Sequence, residues 1–209
     1  IGLRNIDSKR ILDLDTISFT DNIGRHPRNS IVATWTKALI VRDSETASHS
    51  QRVANLAVQL AAALGIHGMN QVDIYHGALL HDVGKLKIPD RILFKNGSLN
   101  KREWERMKKH PPLGYEILSS YPSFSGCALE IPYYHHEQWN GGGYPFGLKG
   151  TQIPVSARLF AIVDVYDALI SRRPYRAALE KRTALCEISD MAGKHFDPNI
   201  TSIFLQMME

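Results

Sequence analysis

Eight side chains of the types that bind metal ions occur at short spacings along this chain. Five are imidazoles and three are carboxylates: Glu45, His49, His81, Asp82, His110, His135, His136 and Asp164. Imidazole and carboxylate ligands without a thiolate suit ions such as iron or manganese. Eight ligands are too many for one ion that keeps open positions, so the pattern predicts a cluster. Ions with open positions activate water for hydrolysis, and phosphate esters are frequent substrates.

Glu45 and His49 are spaced to share one face of a predicted helix. The same face continues through the apolar residues Val53, Leu56 and Leu60, so the pair lies at the end of a core stripe. A buried charge without a partner is costly, which favours a bound ion. The alternative is that Glu45 only complements the positive end of the helix dipole.

The dipeptide His81-Asp82 and the residue Asp164 are flanked by apolar residues. Neighbouring helical residues point about 100° apart. We therefore interpret His81 as a ligand of one ion and Asp82 as a bridge between two. A hydrogen-bonded histidine beside a salt-bridged aspartate is the ordinary structural alternative. Asp164 lies between Val163 and Val165, where a carboxylate requires an ion or a strong donor.

The adjacent His135 and His136 precede a glycine-rich segment, and His110 precedes two prolines. Two neighbouring imidazoles can serve a shared cluster, although they also occur by chance at a polar loop edge. In isolation, His110 fits a histidine that stabilises the C-terminal end of a helix dipole. The remaining histidines are interpreted as structural; they are His26, His67, His76 and His195.

Helical periodicity dominates the sequence from Ser30 onward, with no strand alternation and no internal repeat. Asn100 and Glu103 form a capping pair for one helix, which the prolines after His110 are expected to stop. Five of the fifteen glycines lie between positions 141 and 150, which predicts a loop with unusual backbone angles. We expect an all-α bundle with a site facing inward between helices. The predicted helices cover about 43–64, 71–83, 100–110, 113–120, 126–136, 155–170, 180–192 and 198–208.

The composition fits one domain with a short leader, since the chain has 209 residues of which 44% are hydrophobic. We assign residues 1–29 to an N-terminal leader or linker and residues 30–209 to the domain. The net charge of +4 suits an anionic substrate, but an ordinary solvated surface explains it equally well.

The cellular setting is inferred from cysteines and hydropathy. Cys127 and Cys186 are interpreted as reduced thiols of a cytosolic protein, with a disulfide between them as the alternative. No apolar run approaches the roughly 18 residues that a membrane span needs, and no signal peptide is recognisable. Because the chain begins at Ile1, we interpret it as a fragment from which an upstream sensor or membrane anchor is missing.

The combination of motifs is more specific than any one of them. The segment His81-Asp82-Val83-Gly84-Lys85, with the later run HHEQWNGGGYP at 135–145, closely resembles the HD-GYP phosphodiesterases. These form a branch of the HD metal-dependent phosphohydrolase superfamily, and the likeness extends from about residue 42 to 198. It implies a helical bundle of the HD-domain type with an inward-facing multinuclear metal site. Gly142 departs from the serine of many relatives.

The resemblance also implies a ligand set of two or three divalent transition-metal ions, Fe or Mn. Members of the family with a glutamate at the position of Glu45 hold a third ion. Asp82 is the implied bridge of a first pair of ions, whose ligands include His81 and Asp164. The shell around that pair is completed by His49, His110, His135 and His136.

The implied reaction is hydrolysis of cyclic di-GMP, a bacterial second messenger, in the cytoplasm; the end product stays open between linear pGpG and GMP. Asp82 and Lys85 are the candidate catalytic residues, Lys85 acting on phosphate oxygens or the leaving group. Tyr144 is expected to stack on guanine or to donate a hydrogen bond to phosphate. The guanidinium groups of Arg173 and Arg176 suit phosphate oxygens, although surface ion pairs are the alternative. The candidate substrate contacts are Lys85, Gly143, Tyr144, Arg173 and Arg176.

Two other functions compete with this one. A binding module would sense the dinucleotide, or dock a GGDEF-type synthase through the Gly-Tyr-Pro loop, with little turnover; the intact ligand set favours the enzyme. A phosphohydrolase of the wider HD group would act on mononucleotides, and a close variant would cleave a GMP-AMP hybrid. No DNA partner is expected. The oligomeric state stays open, with a dimer as one alternative.

Overall fold

A computed structural model describes residues 27–42, 46–172 and 177–209 of the chain. The predicted leader lies outside these ranges apart from its last three residues, 27–29. Glu45, Arg173 and Arg176 also lie outside the described residues. The roles assigned to them, and the boundary between leader and domain, stay predictions.

Helices account for all the regular structure of the described residues, which confirms the all-α fold class. Two short 3-10 helices, Val83–Lys87 and Gly150–Gln152, and two isolated β-bridges interrupt the α-helices. The α-helices are α1 (Asn29–Arg42), α2 (Thr46–Ala63), α3 (Met69–Leu79), α4 (Asp90–Leu93), α5 (Lys101–Met107), α6 (His110–Ser119), α7 (Cys127–Tyr134), α8 (Val155–Ile170), α9 (Lys181–Asp190) and α10 (Pro198–Met208).

The core lies where α2, α3, α7 and α8 pack together. On α2, Val53 and Leu60 are fully buried and Leu56 packs against them, so the predicted apolar stripe is the core-facing side of this helix. Helix α8 contributes Phe160 and Ile162, both without exposed surface. Burial of apolar side chains of this size is the main favourable term in folding, at about 1.5–3 kcal/mol each.

The helix predicted over about 71–83 ends before the dipeptide His81-Asp82. Helix α3 ends at Leu79, four residues before the predicted end, and the 3-10 helix begins at Val83. His81 and Asp82 therefore lie in the turn between them, and their side chains converge there instead of diverging, with Nε2 of His81 3.1 Å from Oδ2 of Asp82. The amide of Leu80 is already shared between the carbonyls of His76 and Gly77 at 3.2 Å, which marks the tightening of the last turn.

The sequence predicts His110 at the end of a helix, but in the structure it is the first residue of α6. Pro111 and Pro112 occupy the first turn of α6, where the missing amide proton of proline costs nothing. The prolines therefore start a helix here. This removes the interpretation of His110 as a histidine at the negative end of a helix dipole.

Gly84 lets the 3-10 helix approach α6 at backbone distance. A Cβ atom at this position would lie 1.9 Å from the carbonyl oxygen of His110 and 2.5 Å from the amide nitrogen of Gly114. No side chain fits in that gap. The absence of a Cβ thus brings the segment carrying Asp82 against the start of α6.

Two expectations from composition can be compared with the structure. Cys127 is partly buried and Cys186 exposed, and both are free thiols. Among the helices described, none combines the length and the apolar character that crossing a membrane requires.

Candidate metal centre

Seven of the eight predicted metal ligands lie in the described residues, and the fold brings them to one place from five segments. His49 comes from the second turn of α2 and Asp164 from the middle of α8. The turn after α3 supplies a histidine and an aspartate, and α6 supplies its first residue. The two adjacent histidines follow directly after α7, where His135 is the C-terminal cap.

The ligand atoms form two groups. The first, here called the trihistidine group, consists of His110, His135 and His136. The second, here called the aspartate group, consists of His49, His81 and Asp164. In each group the candidate ligand atoms all lie within 4.8 Å of one another, a spacing at which a single ion can contact all three. Among the described residues, neither group includes His67, His76 or His195.

Asp82 lies between the two groups. Its Oδ1 atom is 3.3 Å from Nε2 of His110, in the trihistidine group. Its Oδ2 atom is 3.1 Å from Nε2 of His81, in the aspartate group. One carboxylate oxygen therefore faces each group, which is the geometry that a bridging ligand requires. Lys85 Nζ also donates to Oδ2 of Asp82, at 2.6 Å.

Backbone carbonyls determine which ring nitrogen of three histidines faces the site. The Nδ1 atom of His81 lies 2.8 Å from the carbonyl oxygen of Ala78. The Nδ1 atom of His110 lies 2.9 Å from the carbonyl oxygen of Met107. The Nδ1 atom of His135 lies 3.1 Å from the carbonyl of Ile131. A carbonyl oxygen only accepts, so each Nδ1 carries a proton, and in the neutral ring it is Nε2 that presents a lone pair.

The resulting arrangement fits metal ions. The Nε2 atoms of His110 and His135 lie 3.3 Å apart, and in these tautomers neither has a proton to share. Two buried lone pairs facing each other repel unless a cation lies beside them. Histidine ligands of metals characteristically donate the other ring N–H to a carbonyl or carboxylate, as these do.

A model of one family, described as HD domain, matches residues 35–200. This chain belongs to the HD domain family. The matched segment includes all seven ligand candidates described above, and the family implies binding of divalent metal ions. The resemblance to the HD-GYP branch of the family is confirmed.

Relatives of the HD domain include phosphodiesterases of cyclic dinucleotides. A cyclic di-GMP phosphodiesterase of Thermotoga maritima is 41% identical over 167 residues, 79% of this chain and 45% of that protein. A 3'3'-cGAMP-specific phosphodiesterase 2 of Vibrio cholerae is 39% identical over 183 residues, 87% of this chain and 35% of that protein. The chain thus spans less than half the length of either relative.

A solved structure supports the same assignment of fold. It is that of an HDG"Y"P protein from Bdellovibrio bacteriovorus, with a TM-score of 0.61 and 26% identity. The match covers 77% of this chain and 51% of that one. The bundle described here is therefore an HD-domain bundle.

The charges in the two groups of the HD domain differ. Burial, reinforced by His110 and His81, lowers the pKa of His135 to about 3. Burial likewise holds the pKa of His136 well below its usual value. Both rings are therefore neutral at pH 7, the form in which imidazole binds metals. Burial also acts to lower the pKa of His49, but its contacts with Asp164 and Asp167 outweigh it and raise that pKa to about 9.

The two aspartates of the site stay ionised. Burial alone would raise the pKa of Asp82, but Lys85, His81 and His110 outweigh it and hold the pKa well below the usual range. At Asp164 burial opposes ionisation too, and contacts with His49 and His81 lower the pKa. The centre therefore combines the two neutral imidazoles of His135 and His136 with two carboxylates, donors that suit divalent cations.

The Gly-Tyr-Pro loop packs directly on the trihistidine group. The ring of Tyr144 stacks on His136, with centroids 4.6 Å apart and planes 26° apart. Burial, Asp82 and Asp164 all raise the pKa of the Tyr144 hydroxyl, so it keeps its proton and can donate. A Cβ at Gly143 would lie 2.4 Å from the amide nitrogen of Gln138. Glycine is required there by close contact of the loop with its own backbone, and contact of Gly143 with substrate stays a prediction.

The sequence interpretation missed two buried carboxylates. Asp167 accepts a hydrogen bond from Nδ1 of His49 at 2.7 Å. Glu137 accepts the amide protons of Phe146 and Leu148, at 2.7 and 2.9 Å, and so holds the Gly-Tyr-Pro loop. A signal for Asp167 was available: it lies three residues after Asp164 in an otherwise apolar helix, and residues so spaced share a face.

Proposed function

We propose that this chain is a metal-dependent phosphodiesterase that hydrolyses cyclic di-GMP to linear pGpG, with GMP as the alternative end product. The observation that carries the proposal is the pair of ligand groups with the Asp82 carboxylate between them. Phosphoryl transfer between oxygens is catalysed by neighbouring metal ions that contact the attacking and the leaving oxygen. The names of the relatives, phosphodiesterases of cyclic dinucleotides, support the substrate class.

The cofactors we propose are two or three divalent transition-metal ions, Fe or Mn. The trihistidine group and the aspartate group would each hold one, with Asp82 contacting both. When bound, such ions supply an activated water and neutralise charge on the phosphate oxygens. Glu45 would contribute to a third ion. We propose Fe or Mn, in preference to ions that favour thiolates, because the donors in both groups are imidazoles and carboxylates and neither group contains a thiolate.

The side chains around the ions would bind the scissile phosphate. Lys85 keeps its ammonium group against Asp82 while a quarter of its side chain stays exposed, so it can also reach a phosphate oxygen. The protonated hydroxyl of Tyr144 would donate to a second oxygen. We retain Arg173 and Arg176 as proposed phosphate ligands because their sequence position directly follows α8, which carries Asp164.

Two further elements of the proposal concern partners and setting. We propose cyclic di-GMP as the preferred substrate and a GMP-AMP hybrid as the alternative, since relatives with both names match this chain. We also propose that a GGDEF-type synthase docks on the Gly-Tyr-Pro loop, where Phe146 is exposed and packs on Tyr133. The reaction would take place in the cytoplasm.

Turnover by metal-loaded protein tests the function. Protein purified without oxygen and loaded with Mn or Fe should convert cyclic di-GMP to pGpG and GMP, separated and quantified by chromatography. Chelator-treated protein from the same preparation is the control and should be inactive until metal is restored. Parallel assays with the GMP-AMP hybrid and with mononucleotides give the substrate preference.

The competing functions predict different results in the same assay. Tight binding of cyclic di-GMP without product, in protein that contains its metal, would favour the sensing or docking module. Hydrolysis confined to mononucleotides would favour the wider HD phosphohydrolase group. Either result would contradict the proposal.

A further inference from the structure

Helix α5 carries a large aromatic side chain that the core does not use. None of the seven residues of this helix is buried, and the indole of Trp104 is 46% exposed. The N-terminus of the helix is nevertheless stabilised by a capping box, in which the side chains of Asn100 and Glu103 each accept a hydrogen bond from the other's backbone amide. Lys95 adds an ion pair to Glu103, at 2.5 Å. The helix thus holds Trp104 at a defined position outside the core.

That position is at the edge of the candidate metal centre. The indole meets the ring of Tyr144 edge to face, with centroids 6.3 Å apart. Tyr144 in turn stacks on His136 of the trihistidine group. Only two ring contacts therefore separate the indole from a candidate metal ligand. The chain also leads from α5 directly into His110, another member of that group.

Two other aromatic side chains near the centre are already engaged. One face of the Tyr144 ring, which is expected to stack on guanine, is covered by the imidazole of His136. Trp139 is partly buried, with the guanidinium of Arg158 over its ring at 5.9 Å. Of these three rings, Trp104 is the one that combines large exposure with proximity to the centre.

We propose that Trp104 is the stacking platform for one purine base of the cyclic dinucleotide. The inference rests on the proposed function, since it needs a phosphodiester at the metal centre with its base one ribose away. A base that stacks on an exposed indole gains affinity whatever its hydrogen-bonding edge, so the platform serves guanine and adenine alike. It would therefore set the preference for dinucleotides over small phosphodiesters.

Kinetics of three variants test the platform. Trp104→Leu should raise KM for cyclic di-GMP by about 5- to 150-fold, the usual range for one base stacked on an aromatic ring, with kcat little changed. Trp104→Phe should recover much of the loss because it keeps an aromatic face. Phe94→Leu is the matched control, an aromatic side chain 53% exposed at the end of α4, and should leave KM unchanged. Metal content and melting temperature of the variants should equal those of the wild type.

Tryptophan fluorescence gives a second readout that a merely structural role would not move. A phosphorothioate analogue of cyclic di-GMP, which resists hydrolysis, should quench wild-type emission. The quenching should disappear in Trp104→Phe, whose remaining emission comes from Trp35 and Trp139. Persistent quenching, or a loss in kcat with KM unchanged, would overturn the platform alone. If the metal-loaded wild type neither binds nor cleaves any cyclic dinucleotide, the proposed function fails and the platform with it.

Discussion

The two ligand groups of this HD domain differ in how one histidine is oriented. In the trihistidine group, His110 and His135 are buried and their Nδ1 atoms face backbone carbonyls of the preceding few residues. In the aspartate group, His81 is oriented in the same way by the carbonyl of Ala78, but His49 depends on a side chain, the carboxylate of Asp167. Asp167 is itself held by Arg52, with contacts of 2.6 and 2.8 Å.

The difference shows which ligands are oriented by the local backbone and which by side-chain contacts. A carbonyl three or four residues away is in place as soon as the local turn forms, so the orientation of His81, His110 and His135 follows from the backbone. The orientation of His49 requires three side chains from two helices, and Arg52 is 47% exposed. A single substitution can therefore disturb the aspartate group while the fold stays intact.

Asp82 is the residue common to both groups, and its removal should have the largest effect. Asp82→Ala takes away the carboxylate that faces His110 and His81, so we expect loss of metal from both groups and turnover at background. Metal content by mass spectrometry and the chromatographic assay measure the two effects. Lys85→Met removes the ion-pair partner of Asp82 and should lower turnover while metal is retained.

Retention of both ions and of activity in Asp82→Ala would show that the groups do not share a ligand. Helical circular dichroism of the variant must match that of the wild type for the comparison to be valid. Loss of one ion with the other kept would assign Asp82 to a single group.

Glu45→Ala should have the next largest effect, the loss of one ion. Glu45 lies four positions before His49 in sequence, so a third ion would extend the aspartate side of the centre. Metal analysis should report one equivalent less than the wild type, with an unchanged melting temperature. An unchanged metal count would remove the third site and leave the two groups as the whole centre.

The sequence predicted which candidate ligands come together better than it predicted their local geometry. The types and spacing of the ligands, and the apolar stripe through Val53 and Leu60, were sufficient to predict an inward-facing cluster in a helical bundle. The change of helix type at Asp82 was not predictable from periodicity, because it depends on the contact of Gly84 with the backbone of α6. The start of α6 at His110 was misjudged because prolines were taken to end a helix where they begin one.

Partners that orient a ligand were the hardest to predict. Asp167 and Arg52 are far apart in sequence, and periodicity shows only that each lies on a face shared with a ligand. Their contact with each other depends on how α2 packs on α8. The stacking of the Tyr144 ring on His136 was likewise not predictable, because the contact between them forms only in the tertiary fold.

Asp167→Asn should give the smallest effect and the sharpest comparison of the groups. The amide keeps the shape of the side chain but loses the charge that orients His49 and the paired contact with Arg52. Removing such a partner typically weakens metal binding about 10- to 100-fold. We expect a calorimetric titration of metal-free protein with Mn²⁺ to show that shift in one binding step, with the other step unchanged.

A matched control exists in Asp197, which is as buried as Asp167, at 3% exposure, and pairs with Arg158. Asp197 caps α10 through the amides of Asn199 and Ile200 and contacts neither ligand group. Asp197→Asn should therefore lower the melting temperature without shifting either Mn²⁺ step. Equal shifts of both Mn²⁺ binding steps in Asp167→Asn would contradict this expectation. They would mean that a change in the orientation of His49 also alters metal binding by the trihistidine group.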